Sequence, residues 1–221
     1  MGNIFGYVNR LILPQRCIFC YKPIYTKDAV CNSCRNILPY LGGSDWRRGK
    51  NFRYCVSALS YEKNVAPAIH RFKYHGRYHY AAYFASLLAR LLAAQRDDFD
   101  MITWIPQSLS RTMERGYNHS KLLAVETAKQ LEFNKPLKLL RKCRHTERQV
   151  MMDKNERTVN LKGSFKAVNR ETFLGKRILI IDDVVTTGST LEECAGVLLE
   201  AGASEIVCAT VARAMPHAKR P

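Results

Sequence analysis

The 221-residue chain has no apolar run near the ~20 residues that cross a bilayer, so no membrane insertion is expected. Its opening stretch, MGNIFGYVNRLILPQR, is mildly apolar. Arg10 interrupts it and no small-residue cleavage site follows, so it reads as a short amphipathic helix or strand rather than a secretion signal. Gly2 lacks the Ser or Thr that myristoylation wants at position 6, where Gly6 stands. There is neither a P-loop lysine motif nor a GxGxxG fingerprint, which sets aside two common phosphate cradles. Acidic residues are scarce, 19 against 35 Lys and Arg, for a net charge of +16. With 47% hydrophobic residues the length fits one medium domain, or a small module plus one domain.

The charge is unevenly spread: +7 over residues 1–54, +2 over 55–100, +9 over 101–170 and −2 over 171–221. A polyanionic partner is the reading this supports, against that of a basic protein with no nucleic-acid role.

Four of the eight cysteines form one pattern, Cys17-x2-Cys20, ten residues, then Cys31-x2-Cys34. Two such knuckles can bring four thiolates tetrahedrally around one Zn²⁺, and with every position filled by sulfur the ion would be structural. Two disulfides or redox pairs are the other readings, and the lack of a secretion signal argues against disulfides. The intervening IYTKDAV is long enough for a hairpin that joins the knuckles. Cys194 and Cys208 lie in apolar runs and read as small core residues. After the cysteines, YLGGSDWRRGKNFR reads as a basic linker, so a zinc-ribbon-like module over 1–54 is expected to precede a domain over 55–221. Trp46 with Arg47, Arg48, Lys50 and Arg53 could stack on a base and hold phosphates, or simply form a solvated linker.

From Cys55 onward the pattern alternates. CVSALSY, MITWIP, LKLL, GSFKAV, RILIID and EIVCATVA read as strands; 66–74, 80–94, 119–131 and 191–200 read as helices. Such alternation predicts an α/β fold with a parallel sheet and crossover helices. The run His70–Tyr80 interleaves cations with Phe72, Tyr74, Tyr78 and Tyr80, which suits either a single-stranded nucleic acid or a helix that buries its aromatics.

The most informative stretch is ILIIDDVVTTGST, Ile178 to Thr190. Ligands of open α/β sheets bind beyond the carboxyl ends of the strands, where Asp182 and Asp183 fall. The next residues, Val184–Thr190, lead into a helix whose free N–H groups favour an anion. Thr186, Thr187, Ser189 and Thr190 add hydroxyls, and Gly188 permits close backbone approach. A ribose 5-phosphate would satisfy the whole set, its diol on the acids, directly or through Mg²⁺, and its phosphate in the loop.

This stretch closely resembles the signature of type I phosphoribosyltransferases, which bind phosphoribosyl pyrophosphate (PRPP). The resemblance implies that Asp182 and Asp183 contact the ribose hydroxyls and that Val185, Thr186, Thr187, Gly188, Ser189 and Thr190 hold the 5′-phosphate. It assigns MITWIPQSLSRTMERG, with Pro106 and Gln107, to the strand and loop that receive pyrophosphate, met by Arg111 and Arg115. Two further runs, RTMERGYNHS and RHTERQVMMDKNERTVNLKGSF, resemble motifs of the ComF family, as do zinc knuckles ahead of a PRPP-binding domain. That resemblance, from Cys17 to about Arg213, implies a cytoplasmic protein of natural transformation or of DNA use as a nutrient. It also implies Mg²⁺ with PRPP and Zn²⁺ on Cys17, Cys20, Cys31 and Cys34.

The basic segment of Arg141, Lys142, Arg144, Arg148, Lys154, Arg157, Lys162 and Lys166 is either a solvated helix face, a lid over pyrophosphate, or a track for single-stranded DNA. Arg111, Arg115, Arg144, Arg148 and Arg157 are the candidate nucleic-acid contacts. Three functions remain in view. One is a phosphoribosyl transfer enzyme of nucleotide salvage, acceptor unnamed. A second is a competence factor that handles imported single-stranded DNA. The third is an adaptor whose zinc module docks on a DNA-uptake helicase or recombination mediator. The Asp183→Asn change is expected to weaken PRPP binding and leave the fold intact.

Overall fold

The structure, a computed structural model, describes residues 14–42, 47–108, 110, 112–113, 116–143 and 163–214. Trp46, Arg111, Arg115, Arg144, Arg148 and Arg157 lie outside the described residues.

Strands β1 (Gln15–Arg16) and β2 (Pro23–Ile24) pair antiparallel around the first knuckle. Tyr21 turns the chain at φ 63° and donates its N–H to Cys17 O at 3.0 Å. The hairpin expected over IYTKDAV is therefore displaced to the first knuckle. A knuckle must bring its own flanks side by side, and the second is built into a helix instead. Cys31 is the N-cap of α1 (Asn32–Ile37), its Sγ accepting from Cys34 N.

Four parallel strands form the main sheet: β3 (Cys55–Ser60), β4 (Met101–Trp104), β7 (Arg177–Val185) and β8 (Glu205–Arg213), in the order β3-β8-β7-β4. Both faces are covered, so the central strands read as continuous apolar runs. Along β7, Ile178 and Ile180 face the core under α5 (Ser189–Glu200), while Leu179 and Ile181 face the other core. That second core is closed by α2 (Val65–Tyr74), α3 (Tyr80–Leu92) and α4 (His119–Gln130). No described helix is long and apolar enough to cross a membrane.

The strand expected over LKLL is displaced to β5 (Leu140–Lys142), while GSFKAV contains β6 (Phe165–Ala167) as expected. They pair with each other, antiparallel, outside the main sheet. β5 and β6 follow one another among the described strands, and antiparallel pairing needs no crossover helix.

The cysteine module shares the main core. The Phe19 ring meets Tyr83 and Phe84 edge-on at 5.8 and 6.3 Å, and Arg71 of α2 donates to Ile18 O and Phe19 O at 2.7 and 2.9 Å. The basic segment after it pairs with β3, Arg47 and Cys55 exchanging backbone hydrogen bonds, and Phe52 is buried beneath α5. The aromatics of the His70–Tyr80 run divide: Phe72 and Tyr80 are buried, Tyr74 and Tyr78 exposed.

Candidate phosphate and ribose site

Strand β7 does not stop at the acids. It continues through Val185, with Asp182 opposite Thr210 and Val184 opposite Ala212 of β8. Successive residues of a strand point to opposite faces, so the two acids leave β7 on different sides, although an oxygen of each comes within 4.8 Å of the other. Asp182 lines a small pocket with Val184–Leu191, while Asp183 turns toward the core side that holds α2 and α4.

In that pocket the chain turns at Gly188, φ 84°, the N-cap of α5. A Cβ there would be strained by the backbone and would come within 3.1 Å of the Arg47 guanidinium. Thr186 and Thr187 are exposed, and the Thr187 and Ser189 hydroxyls are 3.0 Å apart. The N–H groups of a helix's first turn lack intrahelical partners and favour an anion; in α5 the Ser189 N–H donates to Thr187 Oγ1 at 3.4 Å. Arg47 adds a cation: its guanidinium donates to Thr186 O at 2.8 Å and to Thr187 O. Glu192 fixes the segment that carries Arg47, accepting from Lys50 N and Asn51 N at 2.8 and 2.9 Å. The composition of this segment left its role open between phosphate holder and linker. Its position at the loop follows from the Glu192 contacts, 142 residues away in sequence for Lys50, which no local pattern reveals.

The start of α4 holds both acids. Asn118 caps it, accepting from Lys121 N. Ser120 Oγ donates to Asp182 Oδ1 at 2.7 Å, and His119 Nε2 lies 2.5 Å from Asp183 Oδ2. Gln107, in the loop after β4, meets His119 Nδ1 at 2.6 Å, and Pro106 before it is buried. Lys73 of α2 closes the group with Nζ 2.8 Å from Asp183 Oδ1, and both Asp183 and His119 are buried. Burial raises the Asp182 carboxyl to about 6, helped by the neighbouring Asp183 charge. Burial also opposes ionisation of Asp183, but His119 and Lys73 outweigh it and hold that carboxyl below the usual range. His119, Ser120 and Lys73 were not singled out as site residues from sequence. The signal for two of them was present, since they end the run RTMERGYNHS.

His119, Asp182 and Asp183 lie close enough together to suggest a cation site. The Lys73 ammonium already serves Asp183, so a divalent ion on both acids does not fit while Lys73 stays. Asp182 lines the pocket.

The four cysteines form a second cluster, their Sγ atoms within 4.8 Å of one another. Cys20 and Cys31 Sγ are 3.7 Å apart, far from the ~2.0 Å of a disulfide. Tetrahedral Zn–S bonds of ~2.3 Å put sulfurs about 3.8 Å apart, so the cluster could hold one zinc ion. Backbone N–H groups of Cys31 and Cys34 point at Cys17 and Cys31 Sγ, each at 3.5 Å, as thiolates require.

Residues 118–221 match the phosphoribosyl transferase domain family. The chain is 28% identical to competence protein F of Haemophilus influenzae, across 97% of this chain and all of that one. It is 28% identical to the DNA utilization protein YhgH of Escherichia coli K12, across 86% of each. Among solved structures, the B. subtilis glutamine PRPP amidotransferase aligns with 60% of this chain and 26% of its own, at 23% identity and a TM-score of 0.42.

Proposed function

We propose that this chain, a homologue of competence and DNA-utilization proteins that carries a phosphoribosyl transferase domain, handles incoming single-stranded DNA in the cytoplasm and binds PRPP or a related sugar phosphate in that domain. The observation that carries the ligand assignment is the pocket in which Asp182 and the loop Val184–Leu191 meet. Asp182 accepts from a ribose hydroxyl, with Ser120 fixing its other side. The loop N–H and hydroxyl groups of Val185–Thr190 take the 5′-phosphate, with Arg47 at their edge. Asp183 does not touch the ligand. It anchors Lys73 and His119, and through Gln107 it sets the loop after Pro106 that would face pyrophosphate. Arg111 and Arg115 follow in sequence and are proposed to meet that anion. Mg²⁺ would arrive as part of the PRPP complex and supply charge neutralisation of the diphosphate.

The DNA half of the proposal is supported by the names of the relatives and by the +9 carried by residues 101–170, including Arg144, Arg148 and Arg157. One Zn²⁺ on Cys17, Cys20, Cys31 and Cys34 would hold the N-terminal module, whose exposed Tyr25, Ile37 and Tyr40 offer apolar surface to a DNA-uptake helicase or a recombination mediator.

The test is titration of a labelled single-stranded oligonucleotide at fixed salt with Mg²⁺, with and without saturating PRPP. Salt is fixed because phosphate contacts make affinity steeply salt-dependent. Binding is expected in both arms, altered several-fold by PRPP. No binding in either arm refutes the DNA reading. The alternative, an active transferase of nucleotide salvage, then requires pyrophosphate release with some nucleobase.

A further inference from the structure

A second cavity, about 660 Å³, opens between α4, the end of β4 and the β5–β6 ribbon. That volume lies within the ~300–1,000 Å³ that houses nucleotide-sized ligands. It shares no lining residue with the Asp182 pocket, although Pro106 and Gln107, assigned above to the pyrophosphate loop, stand at its border. Five cations reach it from three parts of the fold: Lys121 from α4, Lys138 from the approach to β5, and Arg141, Lys142 and Lys166 from the ribbon. Among the described residues, no acidic side chain lines it.

The ribbon is the telling element. Arg141 and Lys166 stand directly opposite each other in the antiparallel register. Like charges in that position destabilise a strand pair, so nothing in the ribbon's own stability accounts for the choice. Breaks in a local rule of this kind concentrate where a ligand repays the cost. Two of the remaining cations are held over rings, Lys121 Nζ 5.8 Å from the Trp104 centroid and Lys142 Nζ 5.6 Å from that of Phe165. Trp104 itself is only 8% exposed, so it anchors a cation and offers no face for a base. Five cations with no acidic side chain among the described lining residues suit an extended phosphate backbone.

We infer that this cleft binds the sugar-phosphate backbone of single-stranded DNA, at a place separate from the Asp182 loop. The inference rests on the reading of the chain as a DNA-handling protein and assigns that binding to Lys121, Lys138, Arg141, Lys142 and Lys166. Gln107 borders the cleft and contacts His119, so DNA there lies next to the elements that position the acids.

The experiment compares the full chain with K138E/K166E and with the neutral K138Q/K166Q, using oligo-dT across a salt series and PRPP titration in parallel. Both side chains are exposed, and replacing Lys166 removes the like-charge pair, so the melting temperature should hold or rise. The charge-reversed variant should bind oligo-dT at least tenfold more weakly. Its salt slope should fall by about 0.7 for each phosphate no longer neutralised, about 1.4 for two. The neutral variant should fall between the two, and PRPP affinity should not change. Oligo-dT binding by the parent with equal affinity and slope in both variants overturns the inference and leaves the DNA reading standing. A parallel loss of PRPP affinity at unchanged melting temperature makes the cleft part of the diphosphate end and also overturns it. A parent chain that binds no oligo-dT sinks the DNA reading, and this inference with it.

Discussion

With one zinc proposed on the four cysteines, a strong chelator or Cys34→Ala is expected to lower the melting temperature of the whole chain by about 10 °C and to expose the N-terminal module to protease. Residues 14–42 are too short a segment to build a core of their own, and a bound metal would supply the folding energy they lack. Structural zinc sites of this kind are worth about 10–16 kcal/mol in isolated peptides. Only part of that reaches the rest of the chain. The transmitting contacts are the Phe19 ring against Tyr83 and Phe84 and the Arg71 bonds to Ile18 O and Phe19 O. A loss of about 3–5 kcal/mol there is a shift of about 10 °C for a chain of this size. Burial raises the Cys34 and Cys20 thiols, whereas hydrogen bonds from backbone N–H groups outweigh burial at Cys17 and bring it to about 7. Zinc must therefore displace protons from Cys20 and Cys34, and its affinity weakens as pH falls. Elemental analysis should find about one zinc per chain. A metal-free chain that keeps its melting temperature contradicts this.

Lys73→Met destabilises the protein by about 3 kcal/mol and does so without touching a ligand. It leaves the Asp183 carboxylate, 4% exposed, with the His119 ring as its remaining close partner. Breaking a buried pair costs about 3–5 kcal/mol, and His119 places this case at the lower end. The folded-state Asp183 carboxyl is depressed, so the pair's contribution is full above the ordinary carboxylate pKa and is lost as pH falls below it. With Lys73 gone the depression is smaller, so the acid loss shrinks and the variant's deficit narrows at low pH. Urea unfolding at pH 7 and pH 3 measures both effects. Asp183→Asn, expected from sequence to spare the fold, should also be costly, because it leaves the Lys73 ammonium beside a neutral amide. The double variant K73M/D183N should lose less than the two singles together. Additive losses contradict the pairing.

The strand, loop and helix around Ile178–Thr190 were legible because one contiguous run carried every element: buried aliphatics, acids, a glycine at positive φ and a helix start. The cysteine spacing was legible for the same reason. What was not legible is what the chain assembles from afar. The parting of Asp182 from Asp183 follows from the period of two along a strand, but only once the strand is known to run on to Val185, and that depends on pairing with β8. Lys73 and His119 reach Asp183 from two helices, and nothing in the His70–Tyr80 run marks Lys73 as different from its neighbouring cations. Arg47 reaches the loop because Glu192 captures the backbone beside it. Strands were read at LKLL and GSFKAV, but their antiparallel pairing outside the main sheet escaped, because strands of three residues leave almost no periodicity to say what they pair with.

The central claim is that Asp182 and the adjoining loop form a sugar-phosphate site, and calorimetric titration of PRPP with Mg²⁺ into the parent chain and into Asp182→Asn tests it most directly. Asp182→Asn keeps the volume and removes the acceptor charge, so the account predicts at least tenfold weaker binding, about 1.4 kcal/mol, at an unchanged melting temperature. Equal affinity in the two proteins, or no PRPP binding by the parent, would contradict it.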